Sequence, residues 1–403
     1  MKKNIFQFNA CRLGLVGLTV CTLSLGITPF THASDIKLSG FLSVGGGFVD
    51  DENSYPYKGF SEEDLTFENN LFGLQVTGTV AENLTVTAQA IARTRNNYSL
   101  NSEWAYLTWQ ASDTTRVRVG RLRSPFYLFS DSLDVGYSYA WISPPEESYG
   151  IPFNNVDGVD VYTTATLGSF DTSFQAYFGG FSDEVDFNGL MTSIKTRNQM
   201  GVVATLGKDW WTLRGGYHTT DVWVDVNQVP LSETMTIGGF AQTLTAFGFA
   251  KNGNNLLVED DNTAFTDVGL TIDTGTFVAA LEHTEMEVKD SFIAKRVREY
   301  VMGGVRISDW LIHLTFSRSD DESARPEAGI PAGVALPMVG STNVLIGTLQ
   351  AIAGAQVETR DVITLGTRWD VTSGTAIKFQ IDDIDDETKG DQKLFSVAVQ
   401  TVF

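Results

Sequence analysis

Three histidines outside the first 33 residues, His218, His283 and His313, are the imidazoles available as general bases. None stands in an HExxH or nucleophile-elbow context, and no serine is marked as a nucleophile. A membrane-embedded hydrolase is therefore set aside, with His313 replacement as its test. Glycines such as Gly45 to Gly47 form neither a GxGxxG fingerprint before a helix nor a Walker loop, so nucleotide binding finds no support. The run Asp382 to Glu387 lacks the spaced ligands and central glycine of a calcium loop. No cofactor is implied. What remains is fixed charge: Arg116, Arg118, Arg214, Arg298, Arg306, Arg360, Arg368 and Lys378 all sit on the non-apolar parity of alternating segments. Charges facing a wet space steer ions without making or breaking bonds.

Period-two alternation positions these residues and runs through most of the chain after Ser34, as expected for strands with one apolar and one polar face. In the first segment Ile36, Leu38, Leu42, Val44 and Phe48 alternate with Lys37, Ser39, Phe41 and Ser43. Another sets Leu84, Val86, Ala88, Ala90 and Ala92 against Thr85, Thr87, Gln89, Arg93 and Arg95. Tight turns are predicted at 81–83, 112–115, 168–169, 207–209, 273–275, 308–309 and 371–374, and longer loops at 50–66, 96–103, 122–157, 181–197, 219–262, 288–295, 319–357 and 383–391. Those connections join sixteen strands, an even number whose last member can pair with the first and leave no edge. A soluble sandwich would bury the apolar faces; a barrel through lipid points them outward. Arginine parity alone is weak evidence between the two, and the alternating turn and loop lengths favour the barrel. Aromatics gathered at strand ends, including Trp109, Trp210, Trp211, Trp310, Trp369 and Phe379, fit an interfacial girdle.

The chain of 403 residues carries 28 Lys plus Arg against 49 Asp plus Glu, a net charge of -21 that disfavours nucleic acid. Mean hydropathy of -0.04 excludes a bundle of apolar helices and leaves a membrane barrel open. Lys2, Lys3, the apolar run Leu13 to Ile27 and Thr31-His32-Ala33 read as a secretory signal cleaved before Ser34. A retained anchor or a lipoprotein on Cys21 fits less well. Residues 34–403 then form one domain without cysteine, since Cys11 and Cys21 are both in the leader.

Over this mature region the sequence resembles the Gram-negative outer-membrane general-diffusion porins of sixteen strands. The resemblance is carried by the terminal strand ending in Phe403, by AYLTWQ at 105–110 with RVRVGRLRSPF at 116–126, and by the insertion holding SPPEESYG at 143–150 before VDGVDVYTTAT resumes at Val156. It implies an all-β transmembrane antiparallel barrel with short periplasmic turns, long extracellular loops and a third loop folded into the lumen. It also implies a homotrimer in the outer membrane, passive passage of ions and small hydrophilic solutes, and Phe403 as the signal read by the barrel-assembly machinery.

The segment between Arg121 and Val156 is long and aromatic throughout, which marks a functional loop rather than a disordered one. Folded inward, its acids Asp131, Asp134, Glu146 and Glu147 would face a basic wall of Lys37, Arg93, Arg95, Arg118, Arg121 and Arg123 and make a transverse field. The same arginines could instead pair with the loop acids and hold the loop. Acids at 50–52, 62–64 and 382–387 read as a solvated exterior, with loose divalent-cation bridging to lipopolysaccharide as the sharper option. The uncharged stretches 234–250 and 328–357 are expected to hold short helices that cap the mouth, plug the lumen or meet neighbouring subunits. Exterior acidity favours cations and interior arginine favours anions; the balance leans weakly to cations. A channel selective for oligosaccharides or anions, or a barrel whose long loops serve adhesion, are the alternatives.

Overall fold

The computed structural model describes residues 35–403 except 51–54, 62, 63, 152, 188, 189 and 338. The expected leader and the acids Asp51, Glu52, Glu62 and Glu63 lie outside the described residues. Sixteen long strands follow in order: β1 (Ile36–Val49), β2 (Leu71–Ala81), β3 (Leu84–Arg93), β4 (Leu100–Gln110), β5 (Thr115–Arg123), β6 (Asn155–Leu167), β7 (Phe170–Phe187) and β8 (Leu190–Lys208). The second half comprises β9 (Trp211–Val224), β10 (Val258–Asp273), β11 (Phe277–Val288), β12 (Arg296–Ile307), β13 (Trp310–Asp320), β14 (Thr359–Thr372), β15 (Thr375–Asp386) and β16 (Gln392–Val402). Each pairs antiparallel with its neighbour, and β16 closes on β1 from Phe41↔Val402 to Val49↔Leu394. Closure satisfies the backbone groups an open edge would leave in lipid.

All seven tight turns fall where alternation breaks, at one end of the barrel. One expectation is corrected: 181–197 is not a loop, because β7 and β8 run on as a paired hairpin through Phe187↔Leu190. Its charges suggested solvent, but a strand projecting past the membrane can be polar on both faces and still pair. Bulges at Gly179/Phe181 and Arg197/Met200 accommodate the extension.

The apolar parity faces outward. Val76, Val86, Leu314, Ile363, Leu365 and Val399 are all exposed, while Thr87, His313, Thr315, Thr364 and Gln400 on the opposite parity are buried. On the long-loop side a transverse row of charge ends this apolar band: His283, Glu299, Arg318, Asp361 and Asp385 lie in direct register across β11 to β15. Arg318 holds Asp361 at 2.7 Å. On the turn side Trp109, Trp310 and Trp369 are exposed, and the last two stack at 5.4 Å. From Asp361 to Val371 on β14, at about 3.4 Å per residue and a tilt of about 40°, the band is roughly 26 Å tall, which matches a hydrocarbon layer.

The interior is filled by loops from the long-loop end. Stretch 234–250 contains α1 (Ile237–Ala246) and meets α2 (Ala250–Asn254), while 328–357 contains α3 (Thr342–Gly354). Thr236 caps α1 by accepting from the Gly239 N–H. The buried faces of α1 and α3, including Phe240, Leu244, Leu345 and Leu349, join Phe126 and Phe265 in one apolar cluster. These helices therefore cap the mouth from within. No helix among the described residues is long and apolar enough to cross a membrane.

Candidate functional site

Residues 124–154, called loop 3 here, leave β5 and return at β6 after crossing the lumen. Near its root, Asp134 accepts from Arg93 at 2.7 Å and Arg123 at 2.6 Å, while Glu103 accepts from Arg93 at 2.5 Å and Arg123 at 3.4 Å. Burial pushes the Asp134 carboxyl upward, but the Arg123 and Arg93 guanidinium groups outweigh it and hold it well below its ordinary 3.8. Two cations and two anions close on themselves. Such a buried network fixes position more than it adds stability.

The remaining basic positions separate into paired and unpaired. Arg118 grips Asp160 through two bonds of 2.7 and 2.9 Å and lies over the Tyr106 ring. Asp131 is exposed on loop 3 and contributes to the electrostatic environment of Arg118. Arg121 shares the outward parity of Val119 and pairs with Asp157 at 2.8 Å. Arg95 falls in a short 3-10 turn beyond β3 rather than on the strand, and Lys37 sits near the turn end of β1; both are exposed, with no carboxylate partner among the described residues. Arg116 is stacked on Tyr162 at 4.1 Å.

Glu146 and Glu147 are not beside the arginines of β3 to β5. The Lys58 N–H donates to Glu146 at 2.7 Å, and Glu147 accepts from Tyr57 and Ser317 at 3.0 Å with Arg360 at 3.6 Å. The structure thus brings Asp134 to Arg93 and Arg123, and Asp131 to the neighbourhood of Arg118, while placing the later acids across the barrel with the first loop. Sequence reasoning missed Glu103, Asp157 and Asp160 as counter-charges. The signal was present in VDGVDVY, whose acids stand opposite Arg121 and Arg118 once β5 and β6 are paired.

Loop 3 also touches the β9 to β11 wall. Arg214 donates to the carbonyls of Pro125 and Phe126 and pairs with Asp267, and Glu282 accepts from the Leu128 N–H at 2.6 Å and the Tyr149 hydroxyl at 2.7 Å. His218 is buried between Tyr177 and Asp267, His313 is buried against Trp141, and His283 belongs to the outer charged row. The inner faces differ in consequence. On β13 to β16, Ser319, Thr364, Asp382 and Gln400 are covered by the loops. On β2 to β6, Thr77, Thr85, Tyr106, Arg116, Tyr162 and Thr164 keep contact with solvent.

An outward apolar band, a charged interior and a loop folded across the tube define a transmembrane channel barrel. A model of the Gram-negative porin family matches residues 18–305, and the chain belongs to that family. It is an outer-membrane diffusion channel. No match was found among curated proteins. Among solved structures the chain is similar to Salmonella typhi OmpF in complex with daunomycin (12% identity, TM-score 0.55, covering 91% of this chain and 97% of that one). It is also similar to the anion-selective porin from Comamonas acidovorans (12%, 0.53, 92% and 100%) and to the trimer form of in-vitro folded OmpT of Vibrio cholerae (10%, 0.54, 92% and 100%).

Proposed function

We propose that the chain forms a homotrimeric channel through which small hydrophilic solutes and ions pass between loop 3 and the inner face of β2 to β6, with a weak preference for cations. The carrying observation is the matching of charge at the narrow part. Arg93 and Arg123 are neutralised by Glu103 and Asp134, and Arg118 by Asp160. A near-neutral wall leaves the field to exterior acids, consistent with a net charge of -21. Lys37, Arg95 and Arg118 with Asp131 are the wall residues left in reach of a solute. The family assignment and the fold favour a channel over an enzyme.

The trimeric neighbour supports the assembly. So does the outer rim over β1 to β4, where Leu65, Phe67, Tyr98 and Leu100 are exposed in place of the ion pairs found elsewhere, a surface suited to a second copy. Lipopolysaccharide would meet the charged row. The assembly machinery would read the last strand, whose Phe403 exchanges backbone hydrogen bonds with Gly40 at 2.9 and 3.0 Å.

Recordings in planar bilayers across a salt gradient test the reading. Expected are threefold closure steps and a small reversal potential of the sign for cations, which grows when Arg118→Gln leaves Asp160 uncompensated. An anion-signed potential in the parent would overturn the selectivity, and single-step closure the trimer.

A further inference from the structure

Lys378 projects from β15 into the barrel, is 1% exposed and has no carboxylate partner among the described residues. Its three ammonium donors go to three backbone carbonyls of loop 3: Gly136 at 2.6 Å, Tyr139 at 2.7 Å and Trp141 at 2.5 Å. An ammonium group has three protons to give, so this set is complete. The Tyr139 ring lies 5.1 Å from the same nitrogen. Neighbouring wall residues bind the same stretch. Arg368 donates to the carbonyls of Tyr137 at 2.6 Å and Tyr139 at 3.0 Å; Gln380 accepts from the Ile142 N–H at 3.1 Å; Gln400 donates to the Ile142 carbonyl at 2.7 Å; and the Trp141 indole donates to Thr315 at 2.8 Å.

The position of β15 gives this cluster its consequence. Loop 3 is rooted at β5 and β6, and β14 to β16 stand five to eight strands away round a circuit of sixteen. The loop is therefore fastened to several strands: by Asp134 to Arg93 and Arg123 of β3 and β5, by Pro125 and Leu128 to Arg214 and Glu282 of β9 and β11, and by residues 136–142 to β13 to β16. The fastening at 136–142 is made largely to main-chain carbonyls, so loop side chains can vary without releasing it, whereas loss of the lysine strands the Gly136 and Trp141 carbonyls and leaves that of Tyr139 with Arg368 alone.

We propose that Lys378 is a positioning residue that tethers the tip of loop 3 to the far wall and thereby sets the cross-section left for solutes on the β2 to β6 side. Arg368 and Gln400 support the tether. Lys378 itself touches no solute; it acts through the placement of loop 3.

The test uses the chain expressed from Ser34 and refolded, which contains no cysteine, with Ala140→Cys as a reporter beside the tether. Ala140 is buried, so a charged methanethiosulfonate reaches it slowly while loop 3 is docked. Lys378→Met is expected to speed labelling by roughly tenfold or more, given three lost charge-assisted bonds, and to raise single-channel conductance; Lys378→Arg restores both in part. Unchanged labelling in a folded Lys378→Met barrel would overturn the tether. Faster labelling at unchanged conductance would overturn its role in setting the cross-section. Should Lys378→Met not fold, the double variant Arg368→Gln and Gln400→Leu decides by the same two readouts. Labelling needs no conduction, so failure of the tether and failure of the channel reading are distinguishable.

Discussion

Leu244→Ala is expected to unlock the apolar cap without opening the barrel wall. Leu244 is fully buried on α1, in the cluster that joins α1 and α3 to loop 3. Truncating a buried leucine costs about 2–5 kcal/mol. A helix of ten residues does not persist alone in water, so α1 depends on that packing. A loss near 3 kcal/mol shifts the docked equilibrium by roughly a hundredfold, since each 1.4 kcal/mol is about a factor of ten. The wall is held separately by its closed ladder of backbone hydrogen bonds. Hydrogen exchange of the 237–254 amides should quicken by about that factor while amides of β9 and β10 keep their protection, and bilayer recordings should show more frequent transitions. Leu349→Ala, in the same cluster, should act in the same direction, with the pair departing from additivity. Unchanged exchange over α1, or equal loss of protection in the strands, would refute an independently docked cap.

Two further outcomes are expected. Asp134, ionised well below the usual carboxylate range, contributes stability that is present above its unfolded pKa of about 3.8 and lost as pH falls through the lower folded value; labelling of Cys at position 140, scaled to that of an unhindered thiol at the same pH because only the thiolate reacts, should stay slow at about pH 4 in the parent, whereas Asp134→Asn should speed it at every pH, and equally slow scaled labelling in parent and variant would sink the idea. Spin labels at Val76, Val86 and Leu365 should be quenched by lipid-soluble oxygen and spared by a water-soluble nickel chelate; the reverse pattern would place those faces in a core or in the lumen.

The barrel was legible because its rule is local. One residue in lipid and the next in water is written into each strand, so Val76 against Gln75 and Leu365 against Thr364 declare the two faces without knowledge of the fold. The closing pair of strands followed from an even count. The 181–197 hairpin escaped for a physical reason: beyond the membrane the lipid no longer demands alternation, and pairing continues without its signature. The helices within 234–250 and 328–357 were readable as elements, yet their destination was not, since an apolar helix face does not name the surface that covers it.

The same contrast explains the site. Candidate charges were found by parity, but their partners are set by register and by where a long loop lands, and neither is local. Arg118 meets Asp160 because β5 and β6 pair at that step; Glu147 meets Arg360 because loop 3 reaches the far wall. An arginine placed inward therefore predicts a charged interior and does not predict a net field, which depends on whether a counter-charge arrives from the next strand. Where it does, as at Arg93, Arg118 and Arg123, the guanidinium fixes geometry; where it does not, as at Lys37 and Arg95, it is left to act on passing ions. Selectivity in such a barrel is thus governed by the charges left unmatched, Lys37 and Arg95 against Asp131 and the exterior acids, rather than by the number of bases on the inner face.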